Sequence, residues 1–516
     1  MKTQKILFIS LILLIGQVAG VVHAAEVRLF ASDGGKFDSF GATVAIDGDS
    51  AVVGTTRNQI QGSAYIIVRD GKKWTEQAIL NAGAGADHFG ESVGISGDYI
   101  IGGATGSDDG GDNSGSAYIF MRNGKKWTEQ VKLTASDADA GDSFGGSVGI
   151  SGDYAIVGSR TNDDDGTNSG SAYIFMRNGN KWPEQVKLTA SDAAAGDTFG
   201  VAVAIDGETA IVGAPQNDHA DSNSGAAYIF VLVGKNWIEQ AKLTASDAEK
   251  SDQFGRAVAI NGDSVIISAH GDDDGVKDSG AAYVFFRDGN AWTEQSKLKP
   301  NDPAGKDKFG WSVDIAEIGP RKAYAIVGSV WDDDDGDFSG SSYTFLRSGT
   351  SWSFRAKQTA GDAAADDEFG TAVAITPSYA IVGARLNDDL GSVYFYEAID
   401  DLALPVEPAL LTGTTLGQIK QSALLQNFPN PFNPETWMPY VLAADVPVAI
   451  HIYNLSGQLV RQLNLGVQKA GSYLRKENAA YWDGRDQLGG TVPSGIYFYT
   501  FKASTFEVTR RMVILK

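Results

Sequence analysis

Short runs in which apolar and polar residues alternate recur along most of this chain, separated by turns rich in Gly, Asn and Asp. Alternation with a period of two is the pattern of a half-buried β-strand. Four such runs form a unit: a (FGxxVAI), b (YAIVGA), c (SGSAYIF) and d (WxEQxKLTA). The turn between a and b is tight, as at Ser96-Gly97-Asp98, and the turn between c and d is Asn-Gly or Asp-Gly, as at Asn123-Gly124. Glycine supplies the positive φ that such hairpins need.

The unit is repeated. Phe-Gly pairs begin at Phe40, Phe89, Phe144, Phe199, Phe254, Phe309 and Phe369, in steps of 49, 55, 55, 55, 55 and 60 residues. Repeats of this size bury their apolar faces only against one another, as in a propeller or solenoid. Seven units of four antiparallel strands predict a seven-bladed β-propeller over residues 25–398. The segment from Glu26 to Asp33 has the pattern of strand d, whereas the last unit stops after strand c at Glu397. The first strand is therefore expected to complete the seventh blade and close the ring. The Phe of strand a and the Trp of strand d (Trp74, Trp127, Trp182, Trp237, Trp292 and Trp352) are read as packing residues between blades.

Residues 1–24 read as an export leader, with Lys2 and Lys5 ahead of the apolar run Ile6 to Ile15 and small residues at Val22-His-Ala24. No Cys follows that run to carry a lipid anchor, and no later apolar run is long enough to span a bilayer. The chain has no cysteine, which removes disulfides, thiol nucleophiles and Cys-based metal sites, and its five His form no HExxH-type pair. A net charge of −22 argues against nucleic acid and anionic lipid as partners.

Strand alternation places the b–c and d–a loops on one face of the ring. Those loops hold 36 of the chain's 64 acidic residues against eight Lys and Arg, so that face is expected to be acidic. One reading is a solvated rim that keeps the protein soluble. The other is a set of calcium loops, because calcium takes six to eight oxygen ligands. The candidate ligands are Asp272, Asp274 and Asp278 around Gly275, then Asp163 with Asp165 and Asp333 with Asp335. His270 stands where the first ligand of a full calcium loop would be. No cofactor other than calcium is expected.

The Phe-Gly pairs, together with Val212-Gly-Ala-Pro215 and Val382-Gly-Ala384, resemble the FG-GAP repeats of integrin α-chain propellers and related bacterial surface proteins. The resemblance covers about residues 26–398. It implies the same seven-bladed propeller and a role in adhesion or matrix binding without catalysis. In integrin-type repeats a DxDxDGxxD calcium loop joins strands a and b; here that slot is a short Gly turn, so those calcium sites are expected to be absent.

The period ends after Ala398. Residues 399–424 read as a linker, and residues 425–516 as a small immunoglobulin-like β-sandwich. Asn427-FPNPFNPET, Tyr481-WDGRDQLGG and Ser494-GIYFYTFKAS follow in order. They resemble the C-terminal sorting domain of type IX secretion substrates and the related domain of flagellar hook-capping proteins. The resemblance implies a Gram-negative cell, with residues 425–516 addressed to the type IX machinery and the cargo released or held at the outer-membrane surface. The expectation is thus an exported, non-enzymatic propeller binding an extracellular protein or glycan. The alternative is a secreted hydrolase or lyase acting on polysaccharide through paired carboxylates.

Overall fold

The computed structural model describes residues 26–56, 62–71, 73–83, 87–319, 322–397, 423–424, 427, 435–455, 458–473, 478–504 and 506–514. The expected leader and most of the expected linker lie outside these residues. The chain divides into two units, Met1–Ala403 and Leu404–Lys516.

The first unit contains seven antiparallel four-stranded sheets. Blade one runs a (Thr43–Asp47), b (Ser50–Thr55), c (Ser63–Asp70) and d (Lys73–Leu80). Blade seven consists of Phe369–Ile375, Tyr379–Ala384 and Ser392–Glu397, completed by Glu26–Leu29. Glu26 pairs with Tyr396 and Leu29 with Val393, so the closure expected from the strand count is present. Neighbouring a strands touch all the way round, the last against the first, which makes them the inner ring.

The Phe-Gly step shows why the repeat looks as it does. All seven Phe side chains are fully buried between blades, each contributing about 1.5–3 kcal/mol as an upper estimate. The following Gly takes φ between +86° and +97°, a region that only glycine enters without strain. Its N–H bonds the carbonyl of the glycine in strand b of its own blade, as from Gly145 to Gly158 at 3.0 Å. Its carbonyl faces the equivalent glycine of the preceding blade. A Cβ added at Gly103, Gly158 or Gly213 would collide with the carbonyl oxygen of Gly145, Gly200 or Gly255. The two glycine positions of the motif are thus one contact seen from two blades. Blade five is the exception, with Ser268 at the strand-b position.

Other repeated residues tie neighbouring blades from the outside. Trp182 donates to Gln130, Trp292 to Gln240 and Trp352 to Gln295, each at 2.9 Å. The carboxylates of Glu184, Glu239 and Glu294 accept from both the N–H and hydroxyl of Ser136, Ser191 and Ser246. The Trp residues are packing residues, as the sequence predicts.

The second unit is a β-sandwich. A four-stranded sheet (Leu459–Gln468, Val446–Asn454, Gly495–Ala503 and Phe506–Ile514, in that order) accompanies a three-stranded and a two-stranded sheet. Its core includes Trp482 and Tyr497, whose ring centres lie 5.8 Å apart. Ala423 and Leu424, expected as linker, pair with Val441 and Tyr440, and Leu424 joins that core. A two-residue strand carries too little periodicity to be read from sequence.

The glycine contact yields a direct test. Gly158→Ala should destabilise the protein by about 1–3 kcal/mol through forced separation of blades three and four. Chemical denaturation measures this, and an unchanged midpoint would mean that the blades do not approach as described.

Candidate functional site

The b–c and d–a loops meet on one face, where three backbone bonds join the loops at each of the five seams from blade two to blade seven. Between blades two and three, Gly141 donates to Asp112, Ser143 to Asn113 and Phe144 to Ser114, at 2.9–3.1 Å. Beneath these loops lies a repeated polar knot. In blade three, Tyr173 and Lys187 both donate to Asp137, at 2.8 and 2.7 Å, and Lys187 also reaches Asn162 and Asp164. Tyr228, Lys242 and Asp192 repeat it in blade four, as do Tyr283, Lys297 and Asp247 in blade five. In blade seven Arg28 of the closing strand takes the lysine's place, contacting Asp362, Asp388 and Asn387. Burial opposes ionisation of Asp137, Asp192 and Asp247, but bonds from Lys and Tyr hold each carboxyl below its usual range. The acidic face is therefore stitched to lysines that rise from strand d.

The candidate calcium ligands stand within this scheme. Asp272 is buried, and its Oδ2 accepts from Tyr283 at 2.7 Å and from Lys297 at 2.8 Å. Asp274 pairs with Lys299 at 2.7 Å and Lys297 at 3.2 Å. Asp278 pairs with Lys308 at 2.8 Å. Asp163 accepts the N–H of Asn168, within its own loop. Asp165, Asp333 and Asp335 are exposed at the loop tips. Among the described residues no group of three or more His, Asp or Glu is arranged to hold a metal ion. Calcium needs several convergent free oxygens, whereas ammonium groups already sit beside Asp272, Asp274 and Asp278. As arranged, this donor set does not suit calcium.

One position of the knot changes between blades. Asn162, Asn217 and Asn387 each donate an amide N–H to a buried loop carboxylate, Asp142, Asp197 and Asp367, at 2.9–3.2 Å. In blades five and six that asparagine is Asp272 and Asp332, facing Asp252 and Asp307. Burial, with the neighbouring carboxylate adding to it, pushes Asp252 and Asp307 up to about 6, against the bonds from the N–H groups of Glu249 and Ala304.

A second departure lies in the same two blades, and sequence reading missed it. The residue after the Phe-Gly is small or aliphatic in blades one, three and four (Ala42, Gly146, Val201), but Arg256 and Trp311 in blades five and six. Trp311 packs edge-on against His270 at 5.6 Å and lies 6.0 Å from Trp331, which in turn meets Phe338 at 5.8 Å. The Arg256 guanidinium sits 5.3 Å from the Trp311 ring centre. Aligning the repeats position by position and marking their departures would have exposed this cluster.

The carboxylate pairs predict a pH dependence. Asp252 and Asp307 hold protons near pH 6 in the folded chain but near the ordinary 3.8 when unfolded. Burial also pushes Asp314 up to about 7, so stability should fall as pH rises from about 4 to 7, with the carboxylate pairs contributing the part up to about 6. A D272N/D332N variant introduces the amide of blades three, four and seven and should show a shallower fall and a higher midpoint at pH 7. Thermal unfolding across pH decides, and identical profiles would refute the pairing. Calcium and magnesium at equal ionic strength should shift the wild-type midpoint equally, through screening alone; a calcium-specific gain abolished by Asp272→Asn would restore the metal reading.

Comparison with known proteins accords with this architecture. Among solved structures, a chain from the crystal structure of the mitotic checkpoint complex is 13% identical, with a TM-score of 0.46, covering 77% of this chain and 99% of that one. PorZ, described as an essential bacterial surface component of the type IX secretion system of Porphyromonas gingivalis, is 12% identical, with a TM-score of 0.32, covering 91% of this chain and 64% of that one. At such scores neither likeness speaks to function. No curated protein matches. The FlgD Ig-like domain matches residues 436–507. The FG-GAP repeat matches seven times, at 24–67, 74–120, 127–175, 182–230, 237–285, 292–345 and 352–396. Each matched repeat after the first starts at the Trp of strand d and ends in strand c of the next blade, so it spans the contact between blades. With seven repeats over most of its length, the chain belongs to the FG-GAP repeat family.

Proposed function

We propose that this is an exported, non-enzymatic binding protein that presents its propeller at or beyond the outer membrane of a Gram-negative cell. Its loop face takes an extracellular protein or glycan, and residues 425–516 are the address for type IX secretion. The observation that carries the binding reading is the fate of the loop carboxylates. The loop carboxylates with raised pKa, Asp142, Asp197, Asp252, Asp307 and Asp367, are buried beneath the loops, and Asp272 and Asp332, the partners of Asp252 and Asp307, are bonded to Tyr and Lys. A glycosidase needs two carboxyl groups that flank the scissile bond and touch it. Buried, lysine-bound carboxylates serve the fold, which leaves the exposed loop tips for recognition.

The C-terminal role rests on the motif order from Asn427 to Ser494 and on the independence of the sandwich, which has its own core. Fold alone does not assign it. Truncation after Ser422 in a host with type IX secretion should leave folded propeller in the periplasm, detected by fractionation and protease resistance. Surface display of that truncation would overturn the sorting role. The purified full chain should release no reducing ends or unsaturated products from a panel of polysaccharides; sustained turnover abolished by Asp307→Asn would favour the hydrolase or lyase instead.

A further inference from the structure

The cluster on blades five and six gathers large side chains at inner-loop positions that vary round the ring, and departs from the repeat at Phe338, where blades two to five carry Asn or Asp. We propose that the inner loop face of these two blades binds a glycan through one terminal carboxylated sugar, the carboxylate on Arg256 and Arg160 and the ring on Trp331 and Phe338. This deepens the binding reading above and rests on it.

The cations point to an anion. Five lysines on this face, Lys187, Lys242, Lys297, Lys308 and Lys357, are held by carboxylates, whereas Lys250, Lys277 and Lys306 lie in the loops without an ion pair among the described residues. Arg256 and Arg160 have no ion pair or side-chain hydrogen bond among the described residues, in a protein with a net charge of −22. Arg256 is half-buried, and burial together with the charge of Arg160 works against its ionised form. A carboxylate arriving between the two would remove both penalties and can accept two parallel N–H bonds from a guanidinium.

The aromatic side chains supply the rest. Phe338 is 45% exposed at φ +56°, in the left-handed position that Asn113, Asn168 and Asn223 occupy in blades two to four. A bulky apolar residue is the costliest choice for that backbone. Fold economy does not call for it, and an exposed ring beside Trp331 offers a second stacking surface. The ring faces are electron-rich and attract the partly positive C–H face of a pyranose. His270 is buried, its Nδ1 has no hydrogen-bond partner among the described residues, and it backs Trp311 from beneath.

The acidic rim narrows the ligand further. Asp333, Asp335 and Asp337 are exposed around the cluster. They would accept bonds from sugar hydroxyls but repel a chain that carries a carboxylate on every residue. A neutral oligosaccharide with one acidic end fits both the cationic centre and the anionic surround; an acidic peptide fits only the centre.

The test uses the purified full chain and calorimetric titration. The ligands are oligosaccharides ending in sialic, glucuronic or galacturonic acid, their uncharged parents, a trigalacturonate, and a peptide ending in an acidic residue. The singly carboxylated sugars should bind, and the uncharged parents at least tenfold more weakly. R256Q, W331A and F338N should each weaken binding about tenfold or more, while K235Q on the opposite face leaves it unchanged. F338N should unfold no earlier than the wild type, since asparagine suits that backbone, so its loss of binding cannot come from misfolding. Binding unaffected by these variants, or preference for the peptide or the polyuronate, overturns the assignment. A different glycan or protein captured on an array, insensitive to R256Q, would leave the binding reading standing and remove this site; no ligand of any kind would remove both.

Discussion

The backbone of one blade comes so close to the next at the Phe-Gly step that no side chain fits between them, and the rest of the propeller follows from that approach. The Phe fills the gap beside it with a ring, the glycine turns the chain at positive φ, and the strand-b glycine of the preceding blade yields space to its carbonyl. Close-packed interiors leave little tolerance for added volume. A ring of seven such contacts has to be satisfied at every seam, so the sequence repeats almost without variation where blades touch.

That constraint also explains what could be read from the sequence and what could not. The strands, the blade number and the closing role of Glu26–Leu29 were legible because each depends on local alternation and on counting. The meaning of the acidic loops was not. Asp272, Asp274 and Asp278 have calcium-like spacing along the chain, but their counter-ions, Lys297, Lys299 and Lys308, arrive from strand d and the d–a loop. Spacing within one loop cannot report a partner that folding delivers from the next element. The aromatic cluster was missed for a related reason. Trp311, Trp331 and Phe338 are ordinary one by one, and only their convergence sets them apart from structural aromatics.

Charge on the loop face is therefore better described as layered than as uniform. Beneath the loops, lysine, tyrosine and aspartate are locked together in most blades, and each lysine offsets part of the carboxylate charge gathered around it. Above them the exposed aspartates at the tips set the field met by an approaching molecule. Blades five and six modify both layers, exchanging a buried amide for a carboxylate below and placing arginine and tryptophan above. The two changes fall in the same third of the ring, so the least regular part of the structure is also the part richest in chemistry.

Closure by the first strand bears on how the ring is made and how it comes apart. Arg28 and Ser392 are bonded across 364 residues of sequence. Every other sheet in the propeller pairs strands that are neighbours in the chain. Six blades can thus assemble in order as the polypeptide emerges, while the seventh waits half-formed until the opening strand is recaptured. Contacts of such long range form late in folding, because the intervening chain must be ordered before they are rewarded. The same seam is where a spontaneous opening would begin, since four short-strand residues hold it and each neighbouring blade is held by its own covalent hairpins. In kinetic terms the propeller is a chain of stable links with a single clasp, and its lifetime is set by how long the clasp stays shut.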